Sequence, residues 1–384
     1  MAAGNNRTTC RLNLESAIFL NGANLPRELL LNAEGLVSGD DSGAGIARDV
    51  GDVMVIPALV NSHDHLEFSF YSPLGEPPYA DVDEWARDVH VRDGQVVSRI
   101  EEIPRDLRRY WGLLKNLSWG VTTVMDHGEP QSRPDCDMPV RTVRPFRHVH
   151  RGDKKWAWLE ARCKRGAGPL VFHIGEGTSD GVARRSRKFL RRMGGHGPFI
   201  GVHGISLQQE DARHLDALVW CPESNLFLFN QTADIESLKG ATEILFGTDA
   251  TVSAKGSIWD HLRTARSCGG LSDSELLDSV TTTATRVWEL DHSGDFIIAS
   301  RRHADPWESL FQITAADIHA VVSQHRVVLM SEHFFNEVAL DSWHKKYAAM
   351  TIGGNAVRLY DPSMPKLARL ADTGRVPLTV QANT

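Results

Sequence analysis

The chain has 384 residues, 41% hydrophobic and 24% charged, enough to bury a sizeable core in one large unit with a smaller one beside it. Asp and Glu number 49 against 42 Lys and Arg, which leaves no overall attraction to nucleic acid or an anionic membrane and points to a small-molecule partner, with a homo-oligomer compatible. The opening residues are polar and no apolar run approaches the roughly 18 residues of a membrane span, so a cytoplasmic location is the expectation.

Taken in order, Ser16 to Gly22, Glu28 to Ala33 and Val53 to Ile56 alternate short apolar runs with Gly and Asn turns, the pattern of a small sheet. From there the pattern changes to brief β-branched strands, each ending in polar residues and followed by charged, helix-prone sequence. The strand candidates are Val55 to Val60, Gly120 to Met125, Arg141 to Phe146, Leu170 to His173, Phe199 to His203, Leu218 to Cys221 and Glu243 to Gly247. Such alternation implies parallel βα units, and (β/α) barrels place their chemistry where the strands stop.

Seven candidates leave a barrel of eight one short. Trp156 to Lys164 reads as a helix, so either His148-Val-His150 is a second short strand or the barrel is irregular. Asp295 to Ala299 and His325 to Met330 are again strand-like, with Ile313 to Ile318 a turn entering a strand. The expected architecture is α/β: a (β/α)8 TIM-like barrel over 56–290, complete if His148-Val-His150 is a strand and otherwise irregular with one strand short, and a small β-sandwich built from both chain ends, 1–55 and 291–384. The five cysteines are far apart with no C-x-x-C pair, which argues against disulfides or a thiolate zinc site and for reduced, mostly buried thiols.

The strongest local signal is Pro57-Ala-Leu-Val-Asn-Ser-His-Asp-His65, a strand ending in His-x-His. Residues i and i+2 of an extended chain share a face, so His63 and His65 can converge on one ion. His173-Ile-Gly-Glu176 follows another strand; His173 can complete the coordination and Glu176 can reach an activated water and move its proton. His203 ends the next strand. Asp249, in Ile244-Leu-Phe-Gly-Thr-Asp249, ends the last and can bind the ion while holding the attacking water. Each signal is weak alone; their order, one per strand end, is specific.

These elements in this order resemble the amidohydrolase superfamily, particularly its branch of metal-dependent heterocycle aminohydrolases, similar to cytosine, guanine, S-adenosylhomocysteine and triazine deaminases and chlorohydrolases. The likeness extends to Trp220-Cys-Pro-Glu-Ser-Asn225, to Gly120-Val-Thr-Thr-Val124 and to Thr281-Thr-Thr-Ala-Thr285 before Asp295-Phe-Ile-Ile. The resemblance implies that His63, His65, His173 and Asp249 hold one divalent ion, zinc by ligand type with iron or manganese as alternatives. It further implies that Glu176 shuttles the proton and His203 polarises the bond under attack. No strand-end lysine is available for a carboxylated bridge, which favours a mononuclear site. The interval from His65 to His173 is short for this branch, and Ala299-Ser-Arg-Arg-His-Ala-Asp305 replaces its usual glycine-rich turn.

Substrate-shell candidates are Glu67, for a ring N–H or amidine, His127 and Glu129 after the second strand, and Trp85 among the loop aromatics that can stack on a planar ring, with Asn225 orienting a neighbouring loop. The basic run Arg184 to Arg192 reads as a solvated outer helix. The leading expectation is hydrolytic deamination of an aminated heterocycle or amidine with release of ammonia. The alternative is amide, lactam or amidine C–N hydrolysis on a larger natural product or peptide, and a third reading is a barrel retained without catalysis.

Overall fold

A computed structural model of the chain describes residues 9–20, 27–35, 37–38, 46–128, 139–143, 147–152, 154–163, 168–194, 197–360 and 364–380. Glu129, Cys136 and the second half of the expected strand Arg141 to Phe146 lie outside them. Cys10 and Cys221 are buried and Cys163 and Cys268 exposed, all four free, so only half of the described thiols are buried as expected.

Both chain ends form sheet. An eight-stranded sheet runs Ile18–Phe19, Val53–Pro57, Phe296–Ser300, Ile318–Ser323, Arg326–Ser331, Asn355–Tyr360, Tyr347–Ile352 and Leu378–Val380, and a four-stranded one runs Val37–Ser38, Glu28–Asn32, Thr9–Asn13 and Ile46–Asp49. Leu12, Leu29 and Leu31 of the smaller sheet share one apolar cluster with Val55, Phe296 and Ile298 of the larger. The alternating apolar residues of these strands supply that shared face.

Parallel strands lie between these ends: β1 (Leu59–Asp64), β2 (Val121–Asp126), β3 (Arg141–Thr142), β4 (Arg147–Arg151), β5 (Leu170–Ile174), β6 (Phe199–His203), β7 (Ala217–Trp220) and β8 (Glu243–Phe246). They form two sheets, β1-β2-β3 and β4-β5-β6-β7-β8, so His148-Val-His150 does belong to a strand. A parallel bridge between Asp64 and Asp249 joins the end of β8 to β1, while no pairing joins β3 to β4 among the described residues. The expected closed barrel is therefore not established; the fold is mixed α/β with parallel sheets.

One expected strand, Val55 to Val60, divides. Val53–Pro57 pairs antiparallel with Phe296–Ser300, and the chain then crosses at Ala58 to begin β1, where Leu59 N–H donates to the Gly120 carbonyl at 3.0 Å. Ala58 N–H still donates to the Asp295 carbonyl at 3.1 Å, so the first ladder hands over to the second between adjacent residues and one unbroken apolar run serves two sheets.

On the parallel sheets, Val60, Val171, Ile200, Val202, Val219 and Leu245 pack into one small cluster, whereas Leu59, Leu170, Phe172, Phe199, Leu218 and Phe246 pack into the large one with the helices. The helix Arg105–Ser118 lies in that outer layer, burying Leu107, Leu113, Leu114 and Leu117. It also carries Arg109, buried and ion-paired to buried Asp126 at the end of β2. Asp126 in turn accepts from the backbone N–H of Leu66 at 3.3 Å and of Gly128 at 3.0 Å, tying the turn after His65 to β2. Breaking one partner of such a buried pair costs about 3–5 kcal/mol, because the other charge is left without compensation.

Candidate metal centre

Four histidines and two carboxylates meet where β1, β5, β6 and β8 end. His63, His65, His173, His203, Glu176 and Asp249 are each at most 8% exposed. Among the described residues two ligand groups are present, His63 with His65 and His173, and His63 with His203 and Asp249, the ligand atoms of each lying within 4.8 Å of one another. His63 belongs to both. Its Nε2 stands 3.2 Å from His173 Nε2 and 3.2 Å from Asp249 Oδ1, and His65 Nε2 is 3.7 Å from the same carboxylate oxygen.

Simple strand alternation brings only some of these side chains in. His173 shares a face with Val171 and follows it into the centre. His63 and His203 would by parity lie with Leu59 and Phe199 on the helix-facing side. Register irregularities in β1, one of them between Asn61 and Asp64, and a φ of 77° at His203 turn both rings inward. Asp249 likewise has φ 57°. Left-handed backbone at non-glycine residues costs energy and clusters where surrounding structure enforces it for function.

Asn61 locks this arrangement. Its Nδ2 donates to Thr248 Oγ1 at 2.7 Å and its Oδ1 accepts from Thr248 N–H at 3.1 Å, clamping β1 to the loop after β8. Asn61 and Asn116 both donate to Asp64 Oδ2, at 3.2 and 2.8 Å. Gly247 lets the two strands close: a Cβ there would stand 2.7 Å from His63 Cβ and 2.9 Å from its backbone N and O. Gly247→Ala is expected to destabilise the protein by about 1–3 kcal/mol through overpacking and to lower its metal content. Thermal melts with metal analysis check this; unchanged values on both would remove the close approach from the account.

Neighbouring groups orient the candidate ligands. His173 Nδ1 bonds to the backbone carbonyl of His150, where the β4–β5 register shifts. Ser224 donates to Asp249 Oδ2, and Ser253 does so at 3.2 Å. His203 Nδ1 lies 2.9 Å from Asn225 Oδ1, whose Nδ2 donates to Thr232 at 3.2 Å. Such partners fix which ring nitrogen faces an ion.

Burial lowers the imidazole pKa values, His65 to about 3 with the neighbouring His63 charge adding to it, and His63 and His173 also below their ordinary value. Burial opposes ionisation of Asp249, but the His63 hydrogen bond and the surrounding imidazoles outweigh it and hold the carboxyl well below the usual range. Neutral imidazoles and an ionised carboxylate are the forms that bind a cation. His203 Nε2 is buried without a hydrogen-bond partner among the described residues, 3.6 Å from Glu176 Oε1.

The remaining expected residues are distributed differently. His127 joins the cluster, its ring 4.1 Å from that of His63 and 5.5 Å from that of His173. Asn225 holds His203. Glu67 forms an ion pair with Arg105 at the turn Leu66–Phe68. Trp85, on the helix Val82–Arg92, donates from Nε1 to the Leu74 carbonyl at 3.0 Å and packs with Tyr71 and Leu74, anchoring its loop. That loop is tied to the Glu176 turn by Thr178 N–H donating to Ala80 O at 3.0 Å. The sequence shows no sign of these contacts by His150, Ser224, Ser253 and Asn61, although Asn61 lies inside the Pro57–His65 motif, His150 inside His148-Val-His150 and Ser224 inside Cys-Pro-Glu-Ser-Asn.

No family model matches the sequence, and no curated protein is similar to it. Solved structures are similar in fold. A triazine hydrolase from Arthrobacter aurescens superposes with a TM-score of 0.56 at 15% identity, covering 84% of this chain and 94% of that one. A guanine deaminase from C. acetobutylicum with bound guanine gives 0.55 at 12%, over 83% and 100%. An adenosine deaminase from Xanthomonas campestris with bound zinc gives 0.51 at 14%, over 78% and 87%. At these identities the likeness establishes the fold.

Proposed function

We propose that this chain, which shares its fold with the heterocycle deaminases of the amidohydrolase superfamily, is a metal-dependent hydrolase that removes an amino group as ammonia from an aminated heterocycle or amidine. The observation that carries the reading is the convergence of His63, His65, His173 and Asp249 beside the Glu176–His203 pair. Three neutral imidazoles and one carboxylate, all buried, with His173 and Asp249 oriented from behind, suit a borderline divalent cation, zinc foremost. When bound there, such an ion lowers the pKa of water to about 7 and so makes a nucleophile available at neutral pH.

The chain's own residues do the rest. Asp249 accepts a hydrogen bond from the attacking water and aims it. Glu176 takes the proton released as the new C–O bond forms and passes it to the substrate nitrogen, so that ammonia leaves as the C–N bond breaks. His203, its Nδ1–H donating to Asn225 Oδ1, meets the developing oxygen charge as the imidazolium, donating from Nε2–H. Asn225→Ala is expected to lower kcat by about 10- to 100-fold with little change in KM, the range found when an orienting partner is lost. Steady-state kinetics check it, and an effect on KM alone would assign Asn225 to binding.

The test of the function itself is incubation of zinc-loaded protein with aminated purines, pyrimidines, triazines and pterins, following ammonia. Release from one class supports the reading. Stoichiometric metal without ammonia from any of them overturns it and favours C–N cleavage in a larger amide or lactam.

A further inference from the structure

Lys115 is a buried cation that the proposed chemistry does not use. It lies on the helix Arg105–Ser118 and is 8% exposed. Its ammonium donates to Ser69 Oγ at 3.1 Å and sits 5.2 Å from the centre of the Trp119 ring, but it has no carboxylate at ion-pair distance among the described residues. Burial pushes its pKa down, and Asp64 opposes this only through space. An ammonium so placed is incompletely compensated, and an anion that reached it would recover part of the desolvation cost.

The space for such an anion is present. Lys115 lines a cavity of about 460 Å³ whose walls include Tyr71, Trp111 and Trp119, with Arg375 among its lining residues and no acidic side chain among them. Arg375 is exposed and tethered by a 2.6 Å hydrogen bond to the Arg99 carbonyl. Lys115 and Trp119 also line a separate void of about 10 Å³ that touches Thr248 and Asp249, so these two side chains stand between the cavity and the candidate metal centre.

We infer that this cavity is a binding site for a flat monocarboxylate, an aromatic acid whose carboxylate meets Lys115 while its ring lies among Trp111, Trp119 and Tyr71. Aromatic walls favour a planar apolar body. A single buried ammonium neutralises one charge, so a phosphate dianion carries a second charge that burial penalises. Arg375 adds positive potential without being buried. The site is independent of the hydrolase reading, since its occupant need not be turned over.

Isothermal titration of benzoate into the zinc-loaded full chain tests this, with inorganic phosphate titrated in parallel. One saturable benzoate site is expected, weakened on the order of 10- to 100-fold in Lys115→Met, the loss of a charged hydrogen bond. Arg375→Glu, at an exposed position that spares the fold, is expected to weaken it by roughly fivefold. His63→Ala should leave it unchanged. Absence of binding in the unaltered protein overturns the inference, as does binding that neither Lys115→Met nor Arg375→Glu weakens. Loss in His63→Ala places benzoate at the metal centre and overturns it too, and phosphate binding as tightly as benzoate overturns the ligand class.

Discussion

Replacing His63 with alanine is expected to lower metal affinity by more than about 100-fold and to remove turnover with it, since loss of an orienting partner alone costs 10- to 100-fold. His63 is fully buried and is the only residue shared by both ligand groups. Its loss therefore breaks both, whereas His65→Ala breaks one and is expected to do less. Metal analysis after purification without chelator measures the effect, with circular dichroism confirming that the chain still folds. A folded His63→Ala protein that retains stoichiometric metal would displace His63 from the centre of the site. The cavity left by the imidazole costs stability as well, and the milder His65→Ala variant separates that cost from ligand loss.

Glu176→Gln is expected to lower kcat by about 10²- to 10⁴-fold with metal content unchanged, the range over which a positioned acid–base group contributes. The substitution keeps the side chain's size and removes its ability to accept a proton. Glu176 stands 3.6 Å from His203 Nε2 and belongs to neither ligand group. Its absence from the ligand groups predicts that the two effects separate: His63→Ala loses metal and turnover, Glu176→Gln turnover alone. If Glu176→Gln also lost the metal, Glu176 would be a ligand, and if its kcat held, the proton would travel by another group.

The residues that meet at the centre were legible because each ends an apolar strand, and strand ends on one side of parallel sheets must come together. His63, His65, His173, His203, Glu176 and Asp249 were all found in this way. The substrate shell was less legible. Glu67 looked available for a ring nitrogen, yet it pairs with Arg105, a helix residue remote in sequence. Trp85 anchors its loop through Leu74. The run through Pro57 reads as one strand because apolar residues continue across it, and only the pairing partners reveal that two sheets share it.

The sequence by itself determined the donor types, their order along the chain and the βα alternation that collects them, because these follow from local periodicity and residue chemistry. It could not determine how the rings turn inward. His63 and His203 face the centre through register shifts in β1 and a left-handed φ at His203, both at odds with simple alternation. Nor could it show that the His150 carbonyl, Asn225 and Ser224 hold the groups they touch, or that Lys115 is buried away from any carboxylate partner among the described residues. Those features depend on contacts between distant segments, and the energy that enforces a strained backbone or buries a charge comes from the packing of the whole chain.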